Sequence, residues 1–284
     1  MKQVGVIAAF TLRESLRRRV FLVVALLTLA FLGLYALGTW QLFQELDKNE
    51  LDTAGVELGI VAAATLLGLA MFATLFLGTV LAVFLTLGAV RGDAERGLLQ
   101  PLLVRPVLRR TLLLGRFAAA ATVCAGYVIA VFLATAVITR ITGGWWPDRF
   151  VVPALGLAFA VAIIAAVSLA GSVFLSATAN GIAVFMAFGA GLAAGLLGQI
   201  GDALDVDTLK NIARIASWAL PFEALYQGGL DSLTSDVGGN TAVIVQLGPF
   251  GGAQESGPLL WVWSAAYLVL LAAAARAAFA RRDL

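Results

Sequence analysis

Apolar and polar residues are sorted into blocks along this chain. Residues 20–40 carry no charge, and 21 positions at ~1.5 Å each are enough to cross a hydrocarbon core of ~30 Å. Residues 58–90 are apolar for 33 positions, interrupted in composition by Gly68, Gly78 and Gly88 but by no polar turn. They predict a single long helix that tilts or projects beyond the bilayer. Further spans are predicted at 117–139, 151–175, 182–200 and 258–279. The expectation is an all-α polytopic membrane protein with six transmembrane helices.

The polar blocks have patterns of their own. Residues 2–19 place apolar side chains among Lys2, Arg13, Arg17, Arg18 and Arg19, the composition of an interfacial amphipathic helix or of a basic flank to span one. Residues 41–57 read as a short acidic loop, and 140–150 as a turn whose Trp145 and Trp146 suit the interfacial belt. Residues 176–181 read as a tight polar turn. In the longest non-spanning region, 201–257, the spacing of Leu204, Leu209, Ile212 and Ile215 predicts an amphipathic helix over 204–220 that Pro221 stops. Ala187, Gly191 and Gly195 in span five would let another helix approach closely.

Composition agrees: 61% of residues are hydrophobic and 13% charged, with a mean hydropathy of +0.96, more apolar surface than one soluble core would bury. No cleavable signal pattern is apparent, so the first helix is expected to remain in the mature protein. Charge sets the expected orientation. With both termini in the cytoplasm, 14 of the 19 Lys/Arg fall inside, while 13 of the 17 Asp/Glu fall outside, as the positive-inside rule requires.

The chemistry on offer is sparse. There is no histidine, and the single cysteine, Cys124, lies in an apolar run, so no metal site, internal disulfide or histidine-based catalysis is expected. The spans hold no Asp, Glu, Lys or Arg away from their ends, which disfavours an ion-coupled carrier or an intramembrane hydrolase. Thr74, Thr79 and Thr86 are candidates to line a translocation path, with Thr65, Ser168 and Ser172 as lesser ones; such hydroxyls more often bond their own backbone or a neighbouring helix. No phosphate-binding loop exists, since Lys2, Lys48 and Lys210 all lack a preceding glycine. The chain is therefore expected not to be an enzyme and to hold no cofactor. If ATP drives it, another polypeptide binds ATP and magnesium.

Residues 91–116, RGDAERGLLQPLLVRPVLRRTLLLGR, stand between two apolar runs and hold six arginines. Leu98, Leu99, Leu102 and Leu103 flanked by charge suit a helix lying in a partner's groove, ended by Pro106; the alternative is a membrane-surface helix with snorkelling arginines. Glu95-Arg96-Gly97, the leucine pairs, Arg105-Pro106-Val107 and Gly115-Arg116-Phe117 together resemble the cytoplasmic motif of ABC-2 type exporter permeases, and Leu220-Pro221-Phe222 resembles a stretch of their external segment. Within that family the chain looks most like the subgroup associated with copper-enzyme maturation. Leu98 in place of threonine and the proline at Pro101 depart from the pattern, and Pro101 implies a kink.

The resemblance implies one ABC-2 domain over 1–284, with a coupling helix formed by Glu95, Arg96, Gly97, Leu98, Leu99, Leu102, Leu103, Arg105 and Pro106. It further implies a homodimer in the cytoplasmic (inner) membrane, served by two copies of a separate P-loop ABC ATPase and exporting a substrate the sequence does not specify. Membrane lipid is the other expected partner, and nucleic acid is not one. The competing expectation is a non-transporting membrane anchor that uses the same segment for docking.

Overall fold

The computed structural model describes residues 19–49, 58–87, 109–234 and 257–280. All regular structure among them is helical: α1 Arg19–Asn49, α2 Leu58–Thr86, α3 Arg109–Gly143, α4 Val151–Phe174, α5 Ala177–Ala203, α6 Asp207–Ala219, α7 Pro221–Thr234 and α8 Pro258–Ala280. Six of these, all but α6 and α7, are long and apolar enough to span a membrane.

Helix α4 is the axle of the bundle and packs against α2, α3, α5, α7 and α8. Its sequence explains the position. Gly156, Ala158, Ala160, Ala165 and Ala166 are small and buried, so neighbouring backbones approach from several sides, which is how helices gain contact where lipid offers no hydrophobic drive. At Gly78 a methyl group would collide with Val128 of α3 and Val161 of α4; three helices converge there. Around this point Leu67, Met71, Leu75, Phe132, Leu157 and Ile164 form the core.

Several boundaries differ from the sequence expectation. Helix α1 does not stop at residue 40 but runs to Asn49, and its Phe43 ring fills the space above Gly143 at the end of α3. Helix α3 begins at Arg109, so the last part of the basic 91–116 segment already belongs to the helix of span three. The polar stretch 176–181 is not a turn: α5 starts at Ala177, and only Leu175 and Ser176 separate it from α4.

The amphipathic helix falls at α6, Asp207–Ala219, within the expected 204–220. Asp205, at φ 52°, reverses the chain between α5 and α6 in the left-handed conformation that Asp tolerates better than most residues. Pro221 ends α6 and also opens a second short helix, α7, at whose first position a missing N–H costs nothing. The two form a re-entrant hairpin. Phe222 at the start of α7 lies against Gly191, 12 residues and thus ~18 Å before the end of α5. Further along, Gly229 meets Met71 and Pro153 near the start of α4.

Candidate functional site

Two polar constellations lie inside this apolar bundle. Near the end where α3 begins, Thr86 Oγ1 of α2 stands 2.7 Å from the Ser168 hydroxyl of α4 and 2.7 Å from its own helix's Ala82 carbonyl. Asn180 of α5 donates from Nδ2 to the Ser168 carbonyl at 2.9 Å. Its Oδ1 is buried against Gly171 without a hydrogen-bond partner. The node ties α2, α4 and α5 together.

The second constellation belongs to the hairpin. Glu223 is 5% exposed, and its Oε1 accepts from Gln227 Nε2 at 2.9 Å. Gln199 Nε2 lies 3.5 Å from Gln227 Oε1, a weak link back to α5. The carboxylate occupies the place a side chain at Gly195 would take, and Tyr226, three residues on, buries its hydroxyl with no hydrogen-bond partner.

The hairpin is held from the other side by α8. Trp263 Nε1 donates to the Trp218 carbonyl at 3.0 Å, and the Tyr267 hydroxyl to the Ala219 carbonyl at 2.9 Å. These are final carbonyls of α6, which have no acceptor role left within their own helix. Phe222 stacks on Phe188 of α5, with ring centroids 5.9 Å apart. Sequence reasoning missed Glu223, Gln227, Trp263 and Tyr267 as a set. The available signal was a lone acid right after Leu220-Pro221-Phe222 in otherwise apolar surroundings.

Of the path candidates, Thr74, Thr79, Thr86, Ser168 and Ser172 are buried. Thr74 and Thr79 are 0% exposed, and their hydroxyls donate to the carbonyls of Ala70 and Leu75 at 2.7 and 2.8 Å; Thr86 belongs to the first constellation. Thr65 is half-buried, and Ser172 donates to the Leu169 carbonyl at 2.7 Å. The coupling candidates Glu95, Arg96, Gly97, Leu98, Leu99, Leu102, Leu103, Arg105 and Pro106 lie outside the described residues, as do Pro101 and the basic stretch 2–18.

The outside of the bundle is apolar. Leu22, Leu29 and Leu34 of α1 and Ile182 and Met186 of α5 are more than half exposed, and Leu69, Phe76 and Phe84 form a stripe along α2 at helical spacing. A family model described as "ABC-2 family transporter protein" matches residues 6–284. The chain belongs to that family. No match was found among curated proteins. Membership and the six apolar helices make this ABC-2 protein a multi-pass integral protein of the cytoplasmic membrane and the permease component of an ABC transporter. An ABC ATPase partner is implied for the ABC-2 family in general.

Proposed function

We propose that this ABC-2 permease exports its substrate, driven by ATP that a separate P-loop ATPase binds with magnesium and hydrolyses. The observation that carries the reading is the family match over 6–284. The absence of any phosphate-binding loop from this sequence supports placing the ATPase elsewhere.

In this reading both termini and the 91–116 segment face the cytoplasm, as the arginine distribution favours, and the α6–α7 hairpin plugs the outer half of the bundle. Two copies of the chain meet through the exposed faces of α1, α2 and α5, and each binds one ATPase through residues 95–106. ATP-driven closure of the ATPase pair pushes those segments, and α1, α2 and α5 tilt around a path between the copies. Thr74, Thr79 and Thr86 serve the path only indirectly: each hydroxyl is satisfied within the bundle, so α2 can tilt without leaving one bare in the apolar interior.

The test is co-purification with a P-loop ATPase, for which any ABC ATPase encoded in a neighbouring reading frame is the first candidate. Glu95→Arg and Arg96→Glu should each release the ATPase or uncouple its hydrolysis from transport. If both variants retain the ATPase and full coupled hydrolysis, the docking assignment is wrong. A complex that hydrolyses ATP normally yet moves nothing in vesicles, while still anchoring its partner, would instead favour the non-transporting anchor.

A further inference from the structure

A groove opens on the flank of the bundle between α3, α4 and α8, at the end where α3 begins. It encloses about 400 Å³, within the roughly 300–1,000 Å³ of ordinary ligand sites. Its existence follows from side-chain size: Ala166 and Ala170 on α4 face Ala272, Ala273 and Ala275 on α8 across it, and such short side chains leave room that larger ones would fill. Leu113, Phe117 and Leu169 line it as well; a small cluster of Leu113, Leu169 and Val173, joined by Phe117 and Ala278, closes the adjacent space.

All of these side chains are apolar, and the groove adds one charged residue, Arg276, which is exposed at its rim. Arg276 lies four residues before the end of α8 and shares the groove's lining with Leu113 and Leu114 from the early turns of α3. An apolar slot running into the bilayer, with a guanidinium at its mouth, has the two-part chemistry of a phospholipid: a chain for the slot and a phosphate for the arginine, whose fork matches phosphate oxygens. Basic pockets between membrane helices on the cytoplasmic side take anionic headgroups for the same reason.

We propose that this groove is a binding site for one anionic phospholipid, its acyl chain lying between α4 and α8 and its phosphate on Arg276. Charge complementarity selects the occupant. A zwitterionic lipid brings its own ammonium to a basic rim, whereas phosphatidylglycerol brings net negative charge only. Assigning the lipid to the inner leaflet rests on the orientation proposed above; the site itself does not.

Of the six native tryptophans, Trp40, Trp261 and Trp263 lie toward the opposite end of the helices that carry them, Trp218 in the hairpin, and Trp145 and Trp146 in the connection from the far end of α3 to α4. A tryptophan at Phe117 therefore reports the groove, after subtraction of the unsubstituted protein. The full chain carrying Phe117→Trp is placed in nanodiscs with chain-brominated phosphatidylglycerol or phosphatidylcholine at equal mole fraction. The added fluorescence should be quenched at least two-fold more by the phosphatidylglycerol; Arg276→Gln should abolish that preference, and Arg276→Lys should retain part of it.

Should Phe117→Trp fail to fold, Leu268→Trp on the facing helix carries the same reporter. Equal quenching by both lipids, or a preference that survives Arg276→Gln, would overturn the proposal and leave the groove to ordinary bulk lipid or to transported cargo. No ATPase or transport enters the measurement, so it stands or falls apart from the exporter reading.

Discussion

Gly195 shows how much one hydrogen atom in place of a methyl can decide. The Glu223 carboxylate lies where a Cβ would project, so Gly195→Ala must displace either the acid or the hairpin. We expect a loss of about 1–3 kcal/mol, the usual cost of overpacking, read as a lowered unfolding temperature in detergent. Glu223→Ala vacates the space, and the double variant should lose less than the two single losses added together. A Gly195→Ala protein as stable as the parent would show that the hairpin does not seat there.

The same residue marks what was legible locally. Small residues at Ala187, Gly191 and Gly195 announced a close helix approach, and the approach is real at Gly191 and Gly195. The partner is α7 of the same chain, which the spacing alone could not identify. Asn180 was less readable. In its local sequence, Ser-Ala-Thr-Ala-Asn-Gly, it resembles a turn residue, and only the Ser168 carbonyl on another helix makes it a buried helical one.

Among the described residues, α1 packs chiefly on α2 and α3 and is attached to α3 by polar clasps. Thr28 Oγ1 lies 2.6 Å from the Tyr127 hydroxyl, and the Tyr35 hydroxyl 2.6 Å from Thr139 Oγ1. Within a bilayer such pairs average about 0.6 kcal/mol and reach ~1.7. A double-mutant cycle of Tyr35→Phe and Thr139→Val should return a coupling in that range in reversible unfolding; zero coupling would mean that packing alone holds α1.

The six spans were legible because unbroken apolar windows are a long, redundant signal. Their ends were not, because the ends are set by contacts. Phe43 on Gly143 keeps α1 helical through the polar stretch 41–49. Helix α7 escaped notice for a different reason: a buried acid and the pair Gly228-Gly229 disguise 14 residues that pack on α4. Pro221 was read as a stop, and it is equally a start.

Taken whole, the molecule pairs a packed body around α4 with an apolar surface along α1, α2 and α5. Only 17% of the α1 membrane window and 11% of that of α8 is buried, against 61% of that of α4, so burial alone leaves both faces open to a second copy, and the proposed path favours the α1 side. On a Cys124→Ala background, Phe76→Cys should crosslink between subunits in native membranes, whereas Val262→Cys on α8, also exposed, should not. If α8 crosslinks and α2 does not, the copies meet through the other face.

The hairpin also bears on how the protein is made. At 14 residues, ~21 Å as a helix, and with Glu223 and Asp231 in its sequence, α7 is too short and too polar to be inserted as a span in its own right. It must settle after the insertion machinery has released it. The glycines of α5 and the starting turns of α4 that receive it are both synthesised earlier, whereas Trp263 and Tyr267 of α8 arrive later. Translation thus delivers the socket, then the plug, then the latch, and a chain cut off before α8 should carry its hairpin unlatched to the quality-control proteases.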